Sequence, residues 1–540
     1  MIEKLVVANR GEIALRVFRT CNELGVASVA VVAPDDRGSL HARSADEVVE
    51  VSSYLDADEQ VRAARLTGAD AIHPGYGFLA ESPGFAELVQ TAGLTWVGPP
   101  PAALRTGGDK LAAKEVAREA GVPIVPTGDP DALGFPLLVK AAAGGGGRGM
   151  RVVRASAELD DALAAAKREA KAAFGDDRVF CERYVERPRH VEIQLMADSH
   201  GTVLGLGERE CSVQRRHQKV LEESPSIALD ESLRAAMSSA AVRFAEAIRY
   251  EGAGTAEFML DGRDFWFLEL NGRIQVEHPV TEAVLGRDLV RDQLRIAAGE
   301  RVDPAVAVAD GSIHAVEVRL YAEDSRTFLP QTGRIDRLRL PDEIRVDAGV
   351  ELGDEVGARY DPMIAKLIAR GPTRDDALDR LQRALAETEI EGVTTNLPFL
   401  RWLVAHPALR AGETTTAFLV ENPPLSQHPL RVPERPWRAP FRLNLGSPAP
   451  SSPPDVDEAA RATSPSSGKG STLDAPMPGT VIRVLVAAGD RVEARQPLVV
   501  LEAMKMETPL SSPQRGTVRA VHVAEGAVVS AGTLLLELED

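Results

Sequence analysis

A lysine followed by a run of glycines lies near the centre of the first half of the chain. Lys140 ends an apolar stretch, and the glycines 144–147 follow within a few residues. Phosphate oxygens accept hydrogen bonds from main-chain N–H groups, and consecutive glycines let the main chain wrap closely around them. The pattern predicts a site for nucleotide phosphates. Taken alone, the glycines are also compatible with a flexible loop that binds nothing.

Two glutamates and an asparagine further along offer oxygen ligands for a hard cation. Glu257 stands in Thr-Ala-Glu-Phe, and Glu269 and Asn271 stand in Phe-Leu-Glu-Leu-Asn. Their apolar neighbours predict enclosure, and a buried carboxylate without a partner costs free energy. Mg²⁺ or Mn²⁺ prefers a few carboxylate oxygens together with substrate phosphates, so two such ions could bridge a triphosphate here. Polar and apolar alternation on surface strands is the competing interpretation.

A third candidate is Lys505, which lies inside an internal repeat. The segment 479–502 recurs at 516–539, and the Ala-Met-Lys-Met stretch 503–506 falls in the connection between the two copies. Each copy has the pattern of short alternating strands, so two copies would close a small β-sandwich without long open edges. Lys505 is therefore expected at an exposed hairpin tip. A lysine at such a tip is usually no more than a solvated cation.

Strands and helices alternate at the start of the chain, ahead of these candidates. Apolar runs at 4–8 and 26–32 flank a helical pattern at 12–24, and further short runs follow at 69–72 and 96–98. This rhythm predicts an α/β domain with a parallel sheet. No G-x-G-x-x-G motif follows the first strand, so the pattern alone does not indicate a nucleotide site there.

The rest of the chain mixes strands, glycine-rich turns and a helix at 374–385, until a segment dense in Pro, Ser, Ala and Gly begins. That composition is typical of a linker, which as a random coil would span about 25 to 30 Å and at full stretch roughly 90 Å. We predict the following parts: 1–108, α/β; 109–308, α+β; 309–440, α+β; 441–472, flexible linker; and 473–540, an all-β sandwich.

The charge and cysteine content restrict the partners and the compartment. With 540 residues the chain should form several domains, and its formal net charge of −18 argues against nucleic-acid or anionic-membrane surfaces. Cys21, Cys181 and Cys211 are far apart and form no paired motif. No apolar stretch is long enough for a signal segment or a membrane span. These features favour a cytoplasmic protein.

The motifs together resemble the biotin carboxylase family over nearly the whole chain, and the Ala-Met-Lys-Met stretch resembles the biotinyl carrier domain of biotin-dependent carboxylases. The motifs that carry the resemblance are His-Pro-Gly-Tyr-Gly-Phe-Leu-Ala-Glu-Ser from His73, the glycine loop, Glu-Arg-Tyr-Val from Glu182, Pro-Arg-His-Val-Glu-Ile-Gln from Pro188, Gln-Arg-Arg-His-Gln-Lys from Gln214, and Arg-Ile-Gln-Val-Glu-His-Pro-Val-Thr-Glu from Arg273.

The resemblance implies an ATP-grasp fold for the central domain, a biotinyl/lipoyl-like carrier, and a role for each matching residue. ATP would be a substrate, with two Mg²⁺ or Mn²⁺ ions and covalent biotin as cofactors. The implied roles are ATP binding by Lys110, Lys140, Gly146, Gly147, Glu182, Arg183, Val185, His190, Gln214 and His217; bicarbonate binding by Lys219, Arg273, Gln275 and Val276; metal binding by Glu257, Glu269 and Asn271; catalysis by Arg273, Glu277, Lys219 and Arg319; and biotinylation of Lys505.

These implied roles agree with the chemistry of the side chains. Bicarbonate is a poor nucleophile until it is deprotonated, which a positioned carboxylate such as Glu277 can do. Attack on the γ-phosphate would give carboxyphosphate, whose breakdown yields CO₂ and a basic phosphate that can take the ureido proton of biotin. A fixed guanidinium at Arg319 would stabilise the resulting oxyanion, and one such donor is worth roughly 2.7 to 4 kcal/mol in other enzymes.

The prediction is a biotin carboxylase and carrier subunit of an acyl-CoA carboxylase, acting on acetyl-CoA or propionyl-CoA, with a place in fatty acid biosynthesis. Its implied partners are a separate carboxyltransferase subunit, a biotin protein ligase and a second copy of the chain. No additional domain separates the carboxylase part from the carrier, unlike in the subunits for propionyl- and methylcrotonyl-CoA. The alternatives are a split pyruvate carboxylase, a regulatory or biotin-storage protein, and another ATP-grasp ligase with a lipoyl carrier.

Overall fold

The computed structural model describes residues 2–142, 150–215, 218–304, 312–424, 471–477, 479–503, 506–529 and 532–539. The predicted linker lies outside these residues up to position 470. No helix in the described ranges is both long enough and apolar enough to cross a membrane. Cys21, Cys181 and Cys211 are all free, which agrees with their unpaired spacing in the sequence, and all three are buried.

The first domain is a parallel sheet covered by helices. Its elements are β1 (Lys4–Val7), α1 (Gly11–Leu24), β2 (Ala27–Val32), α2 (Leu40–Ser44), β3 (Glu47–Glu50), α3 (Ala57–Thr67), β4 (Ala71–His73), α4 (Pro83–Thr91), β5 (Thr95–Trp96) and α5 (Pro101–Gly108). The strand order is β3-β2-β1-β4-β5, and every pairing is parallel. Gly25 ends α1 in the left-handed region at φ 70°, where glycine has no steric penalty. The predicted α/β layer is confirmed.

A small antiparallel sheet follows, in the order β7-β6-β8. Its strands are β6 (Leu137–Ala141), β7 (Arg151–Val153) and β8 (Val179–Arg183). The helices of this part of the chain are α6 (Lys110–Glu119), α7 (Pro130–Leu133) and α8 (Leu159–Phe174). The buried apolar residues of β6 pack on α8, and this packing fixes Lys140 at the end of its strand. The glycine loop 144–147 lies outside the described residues.

The third layer is an antiparallel sheet of eight strands, in the order β13-β12-β9-β10-β11-β14-β19-β17. Its strands are β9 (Arg189–Ala197), β10 (Val203–Arg215), β11 (Gln218–Ser224), β12 (Gly252–Asp261), β13 (Asp264–Asn271), β14 (His314–Tyr321), β17 (Arg345–Ala348) and β19 (Met363–Gly371). Because β11 pairs with β14, one sheet joins the two parts that we predicted as separate α+β domains on either side of position 308.

Helices and short strands complete this part of the chain. They are α9 (Glu231–Ala247), α10 (His278–Leu285), α11 (Leu289–Ala297), β15 (Gly333–Arg334), β16 (Arg337–Arg339), β18 (Glu355–Val356), α12 (Arg374–Glu387), β20 (Glu389–Glu391), α13 (Leu397–Ala405), α14 (Pro407–Arg410) and α15 (Phe418–Glu421). Helix α12 was predicted at 374–385 and extends two residues further. The predicted carboxylase part reaches to 440, of which the structure describes residues up to 424.

The last domain is a sandwich of two four-stranded sheets, as predicted. Its strands are β21 (Ser471–Asp474), β22 (Gly479–Val484), β23 (Arg491–Val492), β24 (Pro497–Ala503), β25 (Met506–Ser511), β26 (Gly516–Val521), β27 (Val528–Val529) and β28 (Leu534–Glu539). The sheets are β21-β28-β26-β23 and β25-β24-β22-β27. Thus the short strand of each repeat copy pairs in the sheet of the other copy. Residues 471 and 472 belong to β21, although we predicted them in the linker.

Candidate active site

A row of charged residues crosses the eight-stranded sheet at one level. Glu269 faces Glu257, Glu257 faces Glu192, and Glu192 faces Arg209 in the registers of β13, β12, β9 and β10. Residues that are register partners in adjacent strands point to the same side of a sheet. Antiparallel pairing therefore brings together four side chains that lie far apart in the sequence. This polar row forms the base of the candidate site.

The Lys219 ammonium, at the start of β11, binds three carboxylates above this row. Its Nζ lies 2.5 Å from Glu192 Oε2, 2.9 Å from Glu257 Oε1 and 2.6 Å from Glu277 Oε1. Burial lowers the pKa of Lys219, but the adjacent glutamates, Glu192 first, outweigh it and hold the pKa well above its ordinary value. The lysine is therefore charged, and one ammonium holds together residues from three strands and a helix terminus.

Glu277 lies between two cations. Its second oxygen, Oε2, is 3.0 Å from Arg319 Nη2, and the same nitrogen lies 2.5 Å from Glu222 Oε1. Burial alone would raise the pKa of the Glu277 carboxyl, but Lys219 and then Arg319 hold that pKa well below its ordinary value. The carboxylate is thus ionised, with one oxygen toward Lys219 and the other toward Arg319.

The predicted bicarbonate residues lie directly before Glu277 in the chain. Arg273 donates to Gln275 Oε1 at 2.9 Å and to Asn271 Oδ1 at 3.1 Å, and its Nε is 3.2 Å from Glu81 Oε2. The Val276 carbonyl accepts a hydrogen bond from the Lys366 ammonium at 2.8 Å. Lys219 contacts Glu277 directly, Arg273, Gln275 and Val276 stand just before it in the chain, and Arg273 also contacts Glu81 in the motif that begins at His73.

The predicted metal ligands face one another across β12 and β13. Asn271 Nδ2 donates to Glu257 Oε1 at 2.9 Å, and Glu269 is the register partner of Glu257. Burial, followed by the charge of Glu257, raises the pKa of the Glu269 carboxyl. A divalent cation would relieve that repulsion, and two carboxylates with an amide oxygen are a donor set that suits Mg²⁺ or Mn²⁺. The residues present therefore fit the predicted ions.

The predicted nucleotide residues extend from this point toward the small sheet. Lys110 Nζ lies 4.0 Å from Glu269 Oε2, and Lys140 forms an ion pair with the fully buried Glu182. His190 Nε2 is 2.9 Å from Glu257 Oε2, and its Nδ1 accepts from Gln214 at 2.8 Å. Although burial lowers it, the neighbouring Glu257 carboxylate leaves the pKa of His190 raised.

The structure describes only some of the remaining predicted site residues. The Arg183 guanidinium lies 5.2 Å from the centre of the Trp266 ring, and Val185 is buried nearby in the chain. Gly146, Gly147, His217 and Lys505 lie outside the described residues. The strands that flank Lys505 end at Ala503 and begin at Met506, and these two residues are register partners.

Sequence reasoning assigned no role to several buried residues of the site. Lys114 Nζ lies 3.0 Å from Glu182 Oε2, opposite Lys140. Arg209 is fully buried and contacts Glu192 Oε1 at 2.5 Å, and Lys366 is likewise fully buried. A usable signal existed for Glu192, because His190, Glu192 and Gln194 alternate with apolar residues along one strand. No local pattern marks Lys114, Arg209 or Lys366.

Comparison with known proteins identifies the family. Domain models match four successive parts: biotin carboxylase, N-terminal domain, at 1–104; carbamoyl-phosphate synthase L chain, ATP binding domain, at 109–304; biotin carboxylase C-terminal domain at 317–421; and biotin-requiring enzyme at 471–538. The biotin-dependent acyl-coenzyme A carboxylase alpha3 subunit of Mycobacterium leprae is 40% identical, and the alignment covers 100% of this chain and 99% of that one. The chain belongs to the biotin carboxylase family.

Two further relatives of this biotin carboxylase match its carboxylase part. A pyruvate carboxylase subunit of Methanothermobacter thermautotrophicus is 46% identical over 78% of this chain and 90% of its own length. The crystal structure of the biotin carboxylase domain dimer of Hydrogenobacter thermophilus 2-oxoglutarate carboxylase, in complex with MgADP, ADP and bicarbonate, has 42% identity and a TM-score of 0.76, and the match covers 78% of this chain and 98% of that one.

These matches confirm the predicted fold class and enzyme class. This biotin carboxylase is an ATP-grasp ligase that carries a biotin-requiring domain in the same chain. The predicted use of ATP, magnesium and biotin is confirmed at the level of the family. The role of each individual residue stays a prediction.

Proposed function

We propose that this biotin carboxylase is the alpha subunit of an acyl-CoA carboxylase, and that it carboxylates biotin carried on its own Lys505. The observation that carries the chemical part is the Glu277 carboxylate, which is held between Lys219 at 2.6 Å and Arg319 at 3.0 Å. The two cations keep Glu277 ionised, so that it can accept a proton from bicarbonate, and they are placed to stabilise the anions that form beside it.

Bicarbonate would lie beside Lys219, Arg273 and Gln275, with Glu277 within reach of its hydroxyl. Deprotonation by Glu277 would make it a nucleophile for the γ-phosphate of ATP. A carboxylate whose pKa is depressed is a weak base in the free enzyme. A bound anion would share the charge of Lys219 and Arg273, so the proton affinity of Glu277 would rise when the substrate arrives.

Lys110 and Lys140 would neutralise the charge that spreads over the phosphate oxygens during transfer. Both reach toward carboxylates in this structure, Lys110 toward Glu269 and Lys140 toward Glu182. Lys114, on the other side of Glu182, would hold that carboxylate when Lys140 turns to a phosphate. Glu257, Glu269 and Asn271 would hold the divalent ions, which supply charge neutralisation at the triphosphate.

Arg319 would be the oxyanion-stabilising group of the carboxyl transfer. Bound biotin supplies the ureido nitrogen that accepts the carboxyl group. The guanidinium is fixed from two sides, by Glu222 and Glu277, so that it needs little reorganisation when charge develops near it. Arg319 lies on β14, in the part of the sheet that follows the ATP-grasp strands, and Glu277 lies at the start of α10.

The acceptor is proposed from the extent of similarity. The alpha3 subunit of the acyl-coenzyme A carboxylase matches this chain from end to end, carrier included, whereas the pyruvate carboxylase subunit matches 78% of it. An acyl-CoA such as acetyl-CoA or propionyl-CoA is therefore favoured over pyruvate. The proposed partners are a carboxyltransferase subunit, a biotin protein ligase and, by analogy with the dimeric relative, a second copy of the chain. We place the assembly in the cytosol.

Three measurements test this proposal. An avidin blot should label the wild-type chain, expressed with a biotin protein ligase, and should not label Lys505→Ala; an unlabelled wild type would refute the carrier assignment. ATP hydrolysis should require bicarbonate and should be stimulated by free biotin, and a wild type whose turnover free biotin does not stimulate would indicate a different ligase. Labelled bicarbonate, supplied to the chain with its co-purified partner, should enter an acyl-CoA and not pyruvate.

A further inference from the structure

Lys366, in β19, is a fully buried lysine to which none of the predicted roles applies. Its ammonium has two close contacts, the Val276 carbonyl oxygen at 2.8 Å and Glu12 Oε1 at 2.8 Å. Lys366 is also the register partner of Arg319 across β14 and β19. Removing an ammonium from water costs several kcal/mol, and only its contacts inside the protein can offset that cost. The two contacts of Lys366 should therefore explain why a lysine is buried beside the site.

The first contact acts on the backbone of the proposed base. The Val276 carbonyl belongs to the peptide unit that joins Val276 to Glu277, and a peptide unit is planar. A hydrogen bond to that oxygen therefore fixes the plane from which the Glu277 side chain departs. Glu277 is also the residue before the first turn of α10, where it has φ −83° and ψ 11°. Lys366 thus stabilises one orientation of the segment that precedes the helix.

The second contact reaches the first domain. Glu12 lies in the first turn of α1, and its other oxygen accepts a hydrogen bond from the Tyr76 hydroxyl at 2.6 Å. Tyr76 belongs to the ten-residue motif that begins at His73, which also contains the Arg273 partner Glu81. One ammonium therefore joins three parts of the chain: α1 with the Tyr76 loop, the segment before α10, and the strand that neighbours Arg319.

A purely structural role for Lys366 explains these contacts less well. The nearby buried Asp347, its register partner in β17, has other cations, since Arg345 Nη2 lies at 2.6 Å and Arg19 Nη1 at 3.1 Å. Both direct contacts of Lys366 point instead to groups next to the predicted bicarbonate and biotin residues. Methionine at position 366 would fill a similar volume but would leave Glu12 buried, charged and unpaired. Loss of one member of a buried ion pair is destabilising, whereas replacement of both members is often nearly neutral.

We infer that Lys366 is a positioning residue for bicarbonate activation, which orients the Val276–Glu277 peptide and the Glu12–Tyr76 pair. This inference rests on the proposed function, because it concerns the geometry of the same base. Outer groups that orient functional side chains typically contribute about 10- to 100-fold to activity. The direct contacts of Lys366 are not with predicted ATP residues, so we expect nucleotide binding not to depend on it. The inference therefore predicts a selective kinetic defect.

The test compares Lys366→Met with Arg374→Met in the full-length chain, with MgATP, bicarbonate and free biotin. Arg374 is a matched control because it is a mostly buried cation that pairs with Glu223 at 2.6 Å, away from the predicted residues. Lys366→Met is expected to lower kcat about 10- to 100-fold and to raise KM for bicarbonate, with KM for MgATP changed less than about twofold. Arg374→Met is expected to lower the melting temperature but to leave these constants unchanged.

A double variant, Lys366→Met with Glu12→Gln, keeps the inference testable if the single variant folds poorly. Removing both charges should restore stability, whereas kcat should stay low because the Val276 carbonyl still lacks its donor. Wild-type kcat in a folded single variant, or recovery of kcat together with stability in the double variant, would overturn the inference. An inactive wild type would instead refute the proposed function, so the two failures are distinguishable.

Discussion

Glu277 combines two requirements that oppose each other. Its carboxylate must be ionised to take a proton, and Lys219 and Arg319 ensure this, yet the same cations weaken it as a base. Substrate binding resolves the conflict in our proposal, because bicarbonate competes for Lys219. We therefore predict that changes at Glu277 lower kcat far more than they weaken nucleotide binding.

Substitution of Glu277 by glutamine tests this role. Glutamine keeps the size and the hydrogen-bonding reach but cannot accept a proton, and general base catalysis is worth about 10²- to 10⁴-fold. We expect kcat for bicarbonate-dependent ATP hydrolysis to fall by about that factor, with little change in KM for MgATP. Steady-state kinetics at saturating bicarbonate measures this, and a variant with wild-type kcat would remove Glu277 from the mechanism.

Substitution of Arg319 by lysine or methionine tests the oxyanion site. Arg319 Nη2 alone contacts both Glu222 and Glu277. Lysine has a shorter side chain and a single ammonium in place of the planar guanidinium with its five N–H donors, so it cannot hold the two carboxylates and also face the oxyanion in the same geometry. We expect stimulation of ATP hydrolysis by free biotin to be lost, with carboxylation of biotin reduced about 10²- to 10³-fold. Slow biotin-independent hydrolysis should persist. Retained stimulation in both variants would contradict the assignment.

The sequence motifs contain many of the residues that the structure brings together in the candidate site, because those residues stand in short local patterns. The pairs of Lys114 with Glu182 and of Arg209 with Glu192 were not predictable in this way. Glu182 and Glu192 stand in sequence motifs, but their partners Lys114 and Arg209 look like isolated charges in otherwise ordinary elements. Their function depends on strand register and packing, which local patterns do not encode.

At the scale of elements, the segment after β14 contains a carboxyl group that is sensitive to pH. Burial raises the pKa of Glu323 to about 7, against the pull of the Arg215 guanidinium 3.5 Å away. In the unfolded chain the group ionises near 4.5. Between these two values the folded state binds more protons than the unfolded state, so this group makes stability fall as the pH rises from about 4.5 to about 7.

Glu323→Gln should remove this pH dependence. At pH 8 the buried charge costs the wild type up to about 3 kcal/mol, whereas at pH 4.5 and below the proton is bound in both states. We expect the variant to melt at a higher temperature than the wild type at pH 8 and to lose that advantage near pH 5. Thermal unfolding at the two pH values measures it. An equal difference at both values would contradict the raised pKa.

The elements themselves were predictable to different degrees. The parallel layer of the first domain and the repeat-built sandwich followed from apolar periodicity and from the recurrence of 479–502 at 516–539. The continuous eight-stranded sheet did not, because the pairing of Leu221 with Val318 joins residues on both sides of our predicted boundary. A strand carries no local signal that identifies its partner, so the sequence did not indicate that one sheet continues across this boundary.

At the scale of the whole molecule, the tether between the carboxylase and carrier parts should set the rate of biotin delivery. The composition of 441–472 predicts a flexible linker, which would hold the carrier at an effective concentration on the order of 1 mM. We expect separately produced fragments 1–440 and 441–540, mixed at about 10 µM each, to carboxylate the carrier about 100-fold more slowly than the intact chain. Circular dichroism should first show that both fragments are folded. Equal rates would show that the connection does not limit delivery.

The exchange of short strands between the two copies of the carrier repeat has a further consequence. Strand β23 pairs with β26, and β27 pairs with β22, so neither copy can complete a sheet from its own residues. The two repeat copies therefore depend on each other for complete sheets. A protease cut in the connection at 512–515 would leave two peptides that remain associated without a covalent bond, and either peptide alone would expose open strand edges and aggregate.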